Sequence, residues 1–152
     1  MSHFGLAMPC RTAAAWSRLE LISPRINQGK FLTIYVFAEH QAPEDVPSIN
    51  VHEKRLNGHN YQMYEMGDVT GVDFAVQAFL ATQEVTPDIL LEASLRIENE
   101  SLQHFVFICS HATHRSVGVA LLLAMLVYHN AKIVLNTRRT FRAAFDRGML
   151  AT

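Results

Sequence analysis

Residues 104–136 read HFVFICSHATHRSVGVALLLAMLVYHNAKIVLN, an apolar run, a short polar loop, a longer apolar run and a second β-branched run. The first and last runs have the length and composition of buried strands, whereas the middle run is long enough for a buried helix. The pattern predicts a strand over 104–108, a helix over 115–128 that Asn130 ends, and a strand over 132–136. Strand, helix and strand in this order form a βαβ unit, whose two strands are parallel.

The sequence before this unit predicts further strands and helices. Residues 31–37 are β-branched and aromatic and predict a buried strand, and residues 48–52 predict a short one. Thr70 and Asp73 have the spacing of a capping box that opens a helix, and residues 86–98 begin with a threonine, a proline and an acid, which also start helices. We therefore expect an α/β fold, a single small domain with a mainly parallel sheet and βαβ units.

Length and composition favour one compact domain without a resident metal or cofactor. The chain has 152 residues, of which 49% are hydrophobic and 18% charged. We divide it into an N-terminal arm, residues 1–30, and an α/β domain, residues 31–152. The two cysteines, Cys10 and Cys109, lie too far apart for a zinc motif or a disulfide framework. The longest apolar run, residues 117–127, is too short to span a bilayer, so we expect no membrane partner.

Charge is strongly segregated along the chain although its net value is −1. Residues 1–38 carry a net charge of +3, residues 39–100 carry −9 and residues 101–152 carry +5. A basic C-terminal part is the electrostatic pattern expected for a phosphate-rich partner. The first 19 residues contain arginines but no acid, as organellar transit peptides do, so a mitochondrial location stands as the alternative to the cytoplasmic one that we expect.

The loop between the predicted strand and helix of the βαβ unit has the features of an anion-binding loop. Backbone N–H groups at a helix start point to one spot, and the helix dipole adds about half a positive charge there. Arg115 supplies a planar fork of donors that matches phosphate. The residues that we expect to contact the anion are Ser110, His111, Thr113, His114, Arg115 and Ser116.

The same loop resembles the Cys-x5-Arg-Ser loop of cysteine-dependent tyrosine and dual-specificity phosphatases. The resemblance implies that the Cys109 thiolate attacks phosphorus, that Arg115 clamps the phosphoryl oxygens and that Ser116 stabilises the leaving thiolate. A separate aspartate would protonate the leaving group, and Asp73, one candidate, fits a helix cap better. The loop also lacks the glycine that lets such loops curl around phosphate.

A second resemblance covers residues 31–145. Residues 109–117 read CSHATHRSV, which is similar to the Cys-Thr-Gly-Gly-x-His-Arg-Ser-Val loop in the C-terminal domain of the RapZ family, the bacterial RNase adapter proteins. Residues 70–73 read TGVD, which is similar to the Thr-Gly-x-Asp helix start of that family, and the order of elements agrees. The paired glycines of the family are replaced by His111 and Ala112, and the Asp-Val-Arg segment of the family is only blurred here, in residues 50–53, Asn-Val-His-Glu.

The RapZ resemblance implies a phosphate pocket that senses glucosamine-6-phosphate and a surface that binds small regulatory RNA. It implies anion contacts for Ser110, His114, Arg115 and Ser116 and a supporting role for Thr70 and Asp73 at the neighbouring helix. The basic residues that would contact RNA are Arg138, Arg139 and Arg142.

Three functions therefore stand side by side. The first is a non-catalytic module that binds a phosphorylated small molecule or RNA. The second is a cysteine-dependent phosphatase, active or degenerate. The third is a scaffold subunit of a larger protein or ribonucleoprotein assembly, in which the basic ends of the chain would contact RNA or an acidic protein.

Overall fold

The computed structural model describes residues 10–22, 32–56, 70–110 and 115–136. Within these ranges the chain forms four α-helices and four β-strands. In chain order they are α1 (Cys10–Glu20), β1 (Thr33–Ala38), β2 (Ser48–Asn50), α2 (Phe74–Ala81), α3 (Val85–Glu100), β3 (His104–Cys109), α4 (Arg115–Leu126) and β4 (Lys132–Leu135). A single 3-10 turn, Glu39–Gln41, follows β1.

The four strands form one sheet in the order β2-β3-β1-β4, and every pair of neighbours is parallel. In the register of the sheet, Ala38 at the end of β1 lies beside Cys109 at the end of β3. Asn50 at the end of β2 lies beside Ile108. The prediction of an α/β fold with a mainly parallel sheet is confirmed, and all carboxyl ends of the strands lie along one edge.

The hydrophobic core lies on the sheet face that the helices cover. Helix α4 packs against β1 and β3, and α2 and α3 pack against α4. The strand side chains on this face are fully or almost fully buried: Ile34, Val36, Ile49, Phe105, Phe107 and Leu135. On the opposite face Tyr35, Phe37 and Ile108 are only half-buried. The alternation along β1 follows from the strand period of two, which turns successive side chains to opposite faces.

The connections of the two central strands leave the sheet in opposite directions. The segment after β1 crosses β3 to reach β2, whereas α4, after β3, crosses β1 to reach β4. In open parallel sheets, ligands bind outside the carboxyl ends of the strands at such a switch point. The topology therefore directs attention to the ends of β1 and β3 and to the residues that follow them.

Helix α1 packs against α3 and contributes Trp16 and Leu19 to the core. Leu21, just after the end of α1, is 82% exposed, so the apolar residues of this segment do not all face the domain. Helix α4, which contains most of the predicted buried run, has only 12 residues. Across the described ranges, no helix combines the length and the apolar character that crossing a membrane requires.

Two helices begin at other residues than the sequence patterns predict. Helix α2 begins at Phe74, because Asp73 occupies the N-cap position and the three residues before it form a turn. Helix α3 begins at Val85, so Thr86 lies inside the first turn, where its hydroxyl donates a hydrogen bond to the carbonyl of Leu80. That bond joins the start of α3 to the end of α2. A contact between two helices cannot be predicted from the cap pattern of one of them.

Candidate functional site

Arg115, the first residue of α4, reaches from the end of β3 toward the turn that follows β2. Its Nη1 donates to Nδ1 of His52 at 2.9 Å and to the carbonyl of Leu56 at 3.4 Å. Its Nη2 donates to the hydroxyl of Ser110 at 3.2 Å. A guanidinium carries five N–H donors, so these three bonds do not exhaust it. None of the three acceptors is a carboxylate, so these bonds orient the positive charge without neutralising it.

The turn after β2 is folded so that His52 points toward Arg115. Val51 and Leu56 are buried and fix its two ends, and the Val51 N–H donates to the Ile108 carbonyl of β3 at 2.8 Å. The His52 N–H donates to Oδ1 of Asn50 at 3.0 Å, the bond of an Asx turn. Arg55 closes the turn with a φ of 62°, in the left-handed region.

A second set of polar contacts continues along the carboxyl edge of the sheet. Nδ2 of Asn50 donates to Oε1 of Glu39 at 3.3 Å, so the residue after β1 is joined to the end of β2 across the end of β3. Further along, Nδ2 of Asn136 donates to Oε1 of Gln41 at 3.2 Å, which joins the end of β4 to the 3-10 turn. We call Glu39, Asn50, His52, Ser110 and Arg115 the edge cluster.

Cys109 and Ser116 form a buried pair beneath the edge cluster. Sγ of Cys109 lies 3.0 Å from Oγ of Ser116, in a hydrogen bond that either group can donate. Ser116 is fully buried, and Cys109 is 2% exposed because it ends β3 on the helix-covered face of the sheet. The pair ties the last residue of the strand to the second residue of α4 and so fixes the geometry of the junction.

The segment that begins at Thr70 and ends at Asp73 lies beside α4. Oδ2 of Asp73 accepts a hydrogen bond from the Thr70 N–H at 2.6 Å, which is one half of the predicted capping box. The Thr70 hydroxyl accepts from the Val72 N–H at 3.2 Å instead of from the N–H of Asp73. Gly71 contacts α4 at Gly118, since a Cβ on Gly118 would lie 3.8 Å from the Gly71 Cα.

The structure brings part of the predicted site together. Ser110, Arg115 and Ser116 meet at the junction of β3 and α4, and Thr70 and Asp73 flank the same helix. The other residues that the sequence assigns to the site lie outside the described residues: His111, Thr113, His114, Arg138, Arg139 and Arg142.

Sequence reasoning missed His52, Asn50 and Glu39 as members of the site. The available signal was the partial similarity of residues 50–53 to the Asp-Val-Arg segment of the RapZ family. The contact itself joins residues 63 positions apart, so no local pattern contains it.

The edge cluster combines the Arg115 cation and the Glu39 carboxylate with hydroxyl and amide groups that can donate to oxygen ligands. Arg115 provides the charge, Ser110 a hydroxyl and α4 its N-terminal dipole. Among the described residues, no three histidine, cysteine or acidic side chains are grouped so that they could hold a metal ion.

Comparison with models of known protein families and with curated protein sequences finds no match to this chain.

Proposed function

We propose that this chain is a non-catalytic module that binds a phosphate group at the junction of β3 and α4, the phosphate belonging to a phosphorylated small molecule or to RNA. The observation that carries the proposal is the orientation of Arg115. Its guanidinium is held at the carboxyl edge of a parallel sheet by three acceptors from two separate segments, none of which is a carboxylate. An arginine oriented in this way loses little side-chain entropy when it binds an anion.

Two further features support an anion at this place. Arg115 is the first residue of α4, where the helix dipole favours negative charge. The site also lies at the switch point of the sheet, where parallel α/β folds bind their ligands. The RapZ resemblance of residues 109–117 agrees with the proposal in naming phosphate as the ligand chemistry.

The test is Arg115→Ala, with inorganic phosphate and a short single-stranded RNA as probes. Loss of charged hydrogen bonds should weaken phosphate binding by about 1.5–3 kcal/mol, about tenfold to a hundredfold in Kd. Arg96→Ala is the matched control, because Arg96 is also half-buried but bonds the Ser48 carbonyl at the amino end of β2. We expect the control to bind as the unmodified protein does.

The RNA arm distinguishes the two sources of phosphate. If RNA is the ligand, its affinity falls steeply with salt, and Arg115→Ala reduces the slope of log Kd against log salt by about 0.7, the value for one phosphate contact to a single strand. Binding of inorganic phosphate without salt-sensitive RNA binding identifies a small phosphorylated ligand. Equal binding of both probes by Arg115→Ala and the unmodified protein would reject the proposal.

The contact between Cys109 and Ser116 favours a second candidate, a cysteine-dependent phosphatase. A hydroxyl 3.0 Å from the sulfur is where a group that stabilises a thiolate would lie. The 2% exposure of Cys109 and the use of the Asp73 carboxylate in the turn before α2 favour binding over catalysis. Hydrolysis of an aryl phosphate that disappears in Cys109→Ser, with phosphate binding retained, would establish the phosphatase.

A further inference from the structure

We propose that the sheet face opposite the helices binds single-stranded nucleic acid, whose unpaired bases stack on the aromatic side chains of β1. This inference does not depend on the proposed function, because it concerns the open face of the sheet and not the carboxyl edge where Arg115 lies. It assigns a second contact surface to the domain and names unpaired bases as the groups that this surface binds.

Three neighbouring rings lie on this face of the two central strands. Tyr35 and Phe37 are two residues apart on β1, so both side chains point away from the buried core. Their rings are stacked, with centroids 6.2 Å apart and planes 27° apart, and the ring of His104 at the start of β3 lies 5.8 Å from that of Tyr35. Tyr35 and Phe37 are half-buried and His104 is exposed. Aromatic rings at a protein surface are platforms for bases, because every base has a π-face.

The sheet holds the central ring in place. The Tyr35 hydroxyl and Nδ1 of His104 share a hydrogen bond of 3.1 Å, and β1 is paired with a strand on each side. The two residues beside Tyr35 differ in exposure, since Val106 on β3 is fully buried and Val134 on β4 is half-buried. The accessible part of the face therefore runs over β1 and β4, and its rings lose little freedom when a base stacks on them.

The charges of these strands fit a polyanion. In the register of the sheet, Thr33 lies between His104 on β3 and Lys132 on β4. These three side chains form a polar row across the amino ends of three strands, and Lys132 is exposed. None of the three strands contains an aspartate or a glutamate, and neither does the whole of residues 101–136. The fixed charge on the strands that carry the rings is therefore positive.

The acidic residues of the adjoining segments lie away from the polar row. Glu39 follows β1 at the carboxyl edge, and Glu44 and Asp45 belong to the connection that leads to β2, on the other side of β1 from β4. Glu100 ends α3, and its carboxylate oxygen lies 3.9 Å from Nε of Arg96. We therefore expect the phosphates to follow the polar row and the bases to lie over the two rings of β1.

The first test compares two fluorescein-labelled probes on the full chain, a uridine hexamer and a hexamer of the same charge whose nucleotides lack bases. Stacking should make the uridine hexamer bind at least about tenfold more tightly at the same salt concentration. A duplex of the same length hides its bases and should bind no more tightly than the abasic hexamer. Equal affinities of the uridine and abasic hexamers, or no binding of either, would overturn the proposal.

Tyr35→Leu is the test variant, because it keeps an apolar side chain and removes the ring. It should weaken the uridine hexamer by about fivefold or more and leave the abasic hexamer unchanged. Phe74→Leu is the matched control, since Phe74 is 81% exposed but starts α2, on the helix-covered side of the sheet. Lys132→Gln should reduce the slope of log Kd against log salt by about 0.7. Equal effects of Tyr35→Leu and Phe74→Leu would overturn the assignment of this face.

Photocrosslinking tests the same contact in the unmodified protein, so it does not depend on whether a variant folds. A uridine hexamer that carries iodinated bases forms covalent bonds with adjacent aromatic side chains on irradiation, and mass spectrometry of the peptides locates them. We expect crosslinks at Tyr35, Phe37 or His104. Crosslinks found only on other segments would overturn the proposal.

Failure of this inference differs from failure of the proposed function. Inorganic phosphate has no base, so it should bind Tyr35→Leu as it binds the unmodified protein. A protein that prefers the uridine hexamer to the abasic one but binds no inorganic phosphate would overturn only the proposed function. A phosphate site that depends on Arg115, without any preference for bases, would overturn only the present inference.

Discussion

Arg96 and Arg115 are both half-buried, but their side chains have different partners. Arg96 donates to the Ser48 carbonyl at 2.8 Å, lies 3.9 Å from a carboxylate oxygen of Glu100, and stacks 5.3 Å above the ring of Phe105. Its charge is therefore balanced within the fold. Among the described residues, the hydrogen bonds of Arg115 go to a histidine nitrogen, a carbonyl and a hydroxyl, and none goes to a carboxylate.

Gly118 is required where α4 packs against α2. A Cβ at this position would overlap Cδ1 of Leu80, a fully buried residue of α2. We expect Gly118→Ala to lower the free energy of unfolding by about 1–2 kcal/mol, because overpacking exceeds the gain of about 1 kcal/mol in helix propensity. Urea unfolding measures the loss.

Leu80→Ala provides the control for this prediction, because it removes the atom that the new methyl group would meet. In that background Gly118→Ala should be neutral or stabilising, which a double-mutant cycle reports as a coupling of at least about 1 kcal/mol. An equal loss in both backgrounds would show that the overlap with Leu80 is not the cause.

At the scale of elements, the βαβ unit was predictable because its signals are local. The sequence predicts strands over 104–108 and 132–136 with an apolar helix between them. The bounds of β3, α4 and β4 agree with these ranges to within a few residues. Helix starts were less predictable. Helix α2 begins at Phe74 because the three residues before Asp73 form a turn instead of the first turn of the helix.

The start of α2 depends on the Asp73 carboxylate. Oδ2 accepts the N–H of Thr70, which is buried, at 2.6 Å, so removal of the acceptor leaves a buried donor without that bond. Asp73→Ala should lower the free energy of unfolding by about 1–2 kcal/mol, and Asp73→Asn, which keeps an acceptor, by less than half as much. Equal losses in urea unfolding would indicate that the hydrogen bond contributes nothing and that the side chain acts in another way.

At the scale of the whole molecule, the strand order determines which residues lie close together at the candidate site. Arg115 follows β3, His52 follows β2 and Glu39 follows β1, and only the strand order brings these three segments to one edge. The sequence therefore predicts a candidate site at the junction that contains Ser110, Arg115 and Ser116, and it does not indicate the residues of the other two segments. Register and strand order depend on the packing of the entire core, which no short pattern encodes.

The stability of the molecule at alkaline pH should depend on Tyr128, which joins the segment after α4 to α3. Its hydroxyl donates to Oε2 of Glu98 at 2.8 Å and lies 3.4 Å from the Ser94 carbonyl, and the residue is fully buried. Burial, and then the hydrogen bond and negative charge of Glu98, raise the pKa of Tyr128 well above its ordinary value of 10.0. The unfolded chain therefore loses this proton above about pH 10 while the folded chain keeps it.

Below about pH 10 the free energy of unfolding should therefore not depend on Tyr128 ionisation. Above about pH 10 it should fall by up to about 1.4 kcal/mol per pH unit, because the unfolded state then binds fewer protons than the folded state. Tyr128→Phe removes that dependence but also the bond to Glu98. It should be less stable than the unmodified protein by about 1–2 kcal/mol at pH 8, and the difference should shrink between pH 10 and 11.5. Urea unfolding across this range measures both quantities, and a difference that stays constant or widens would show that the Tyr128 hydroxyl does not remain protonated in the folded protein.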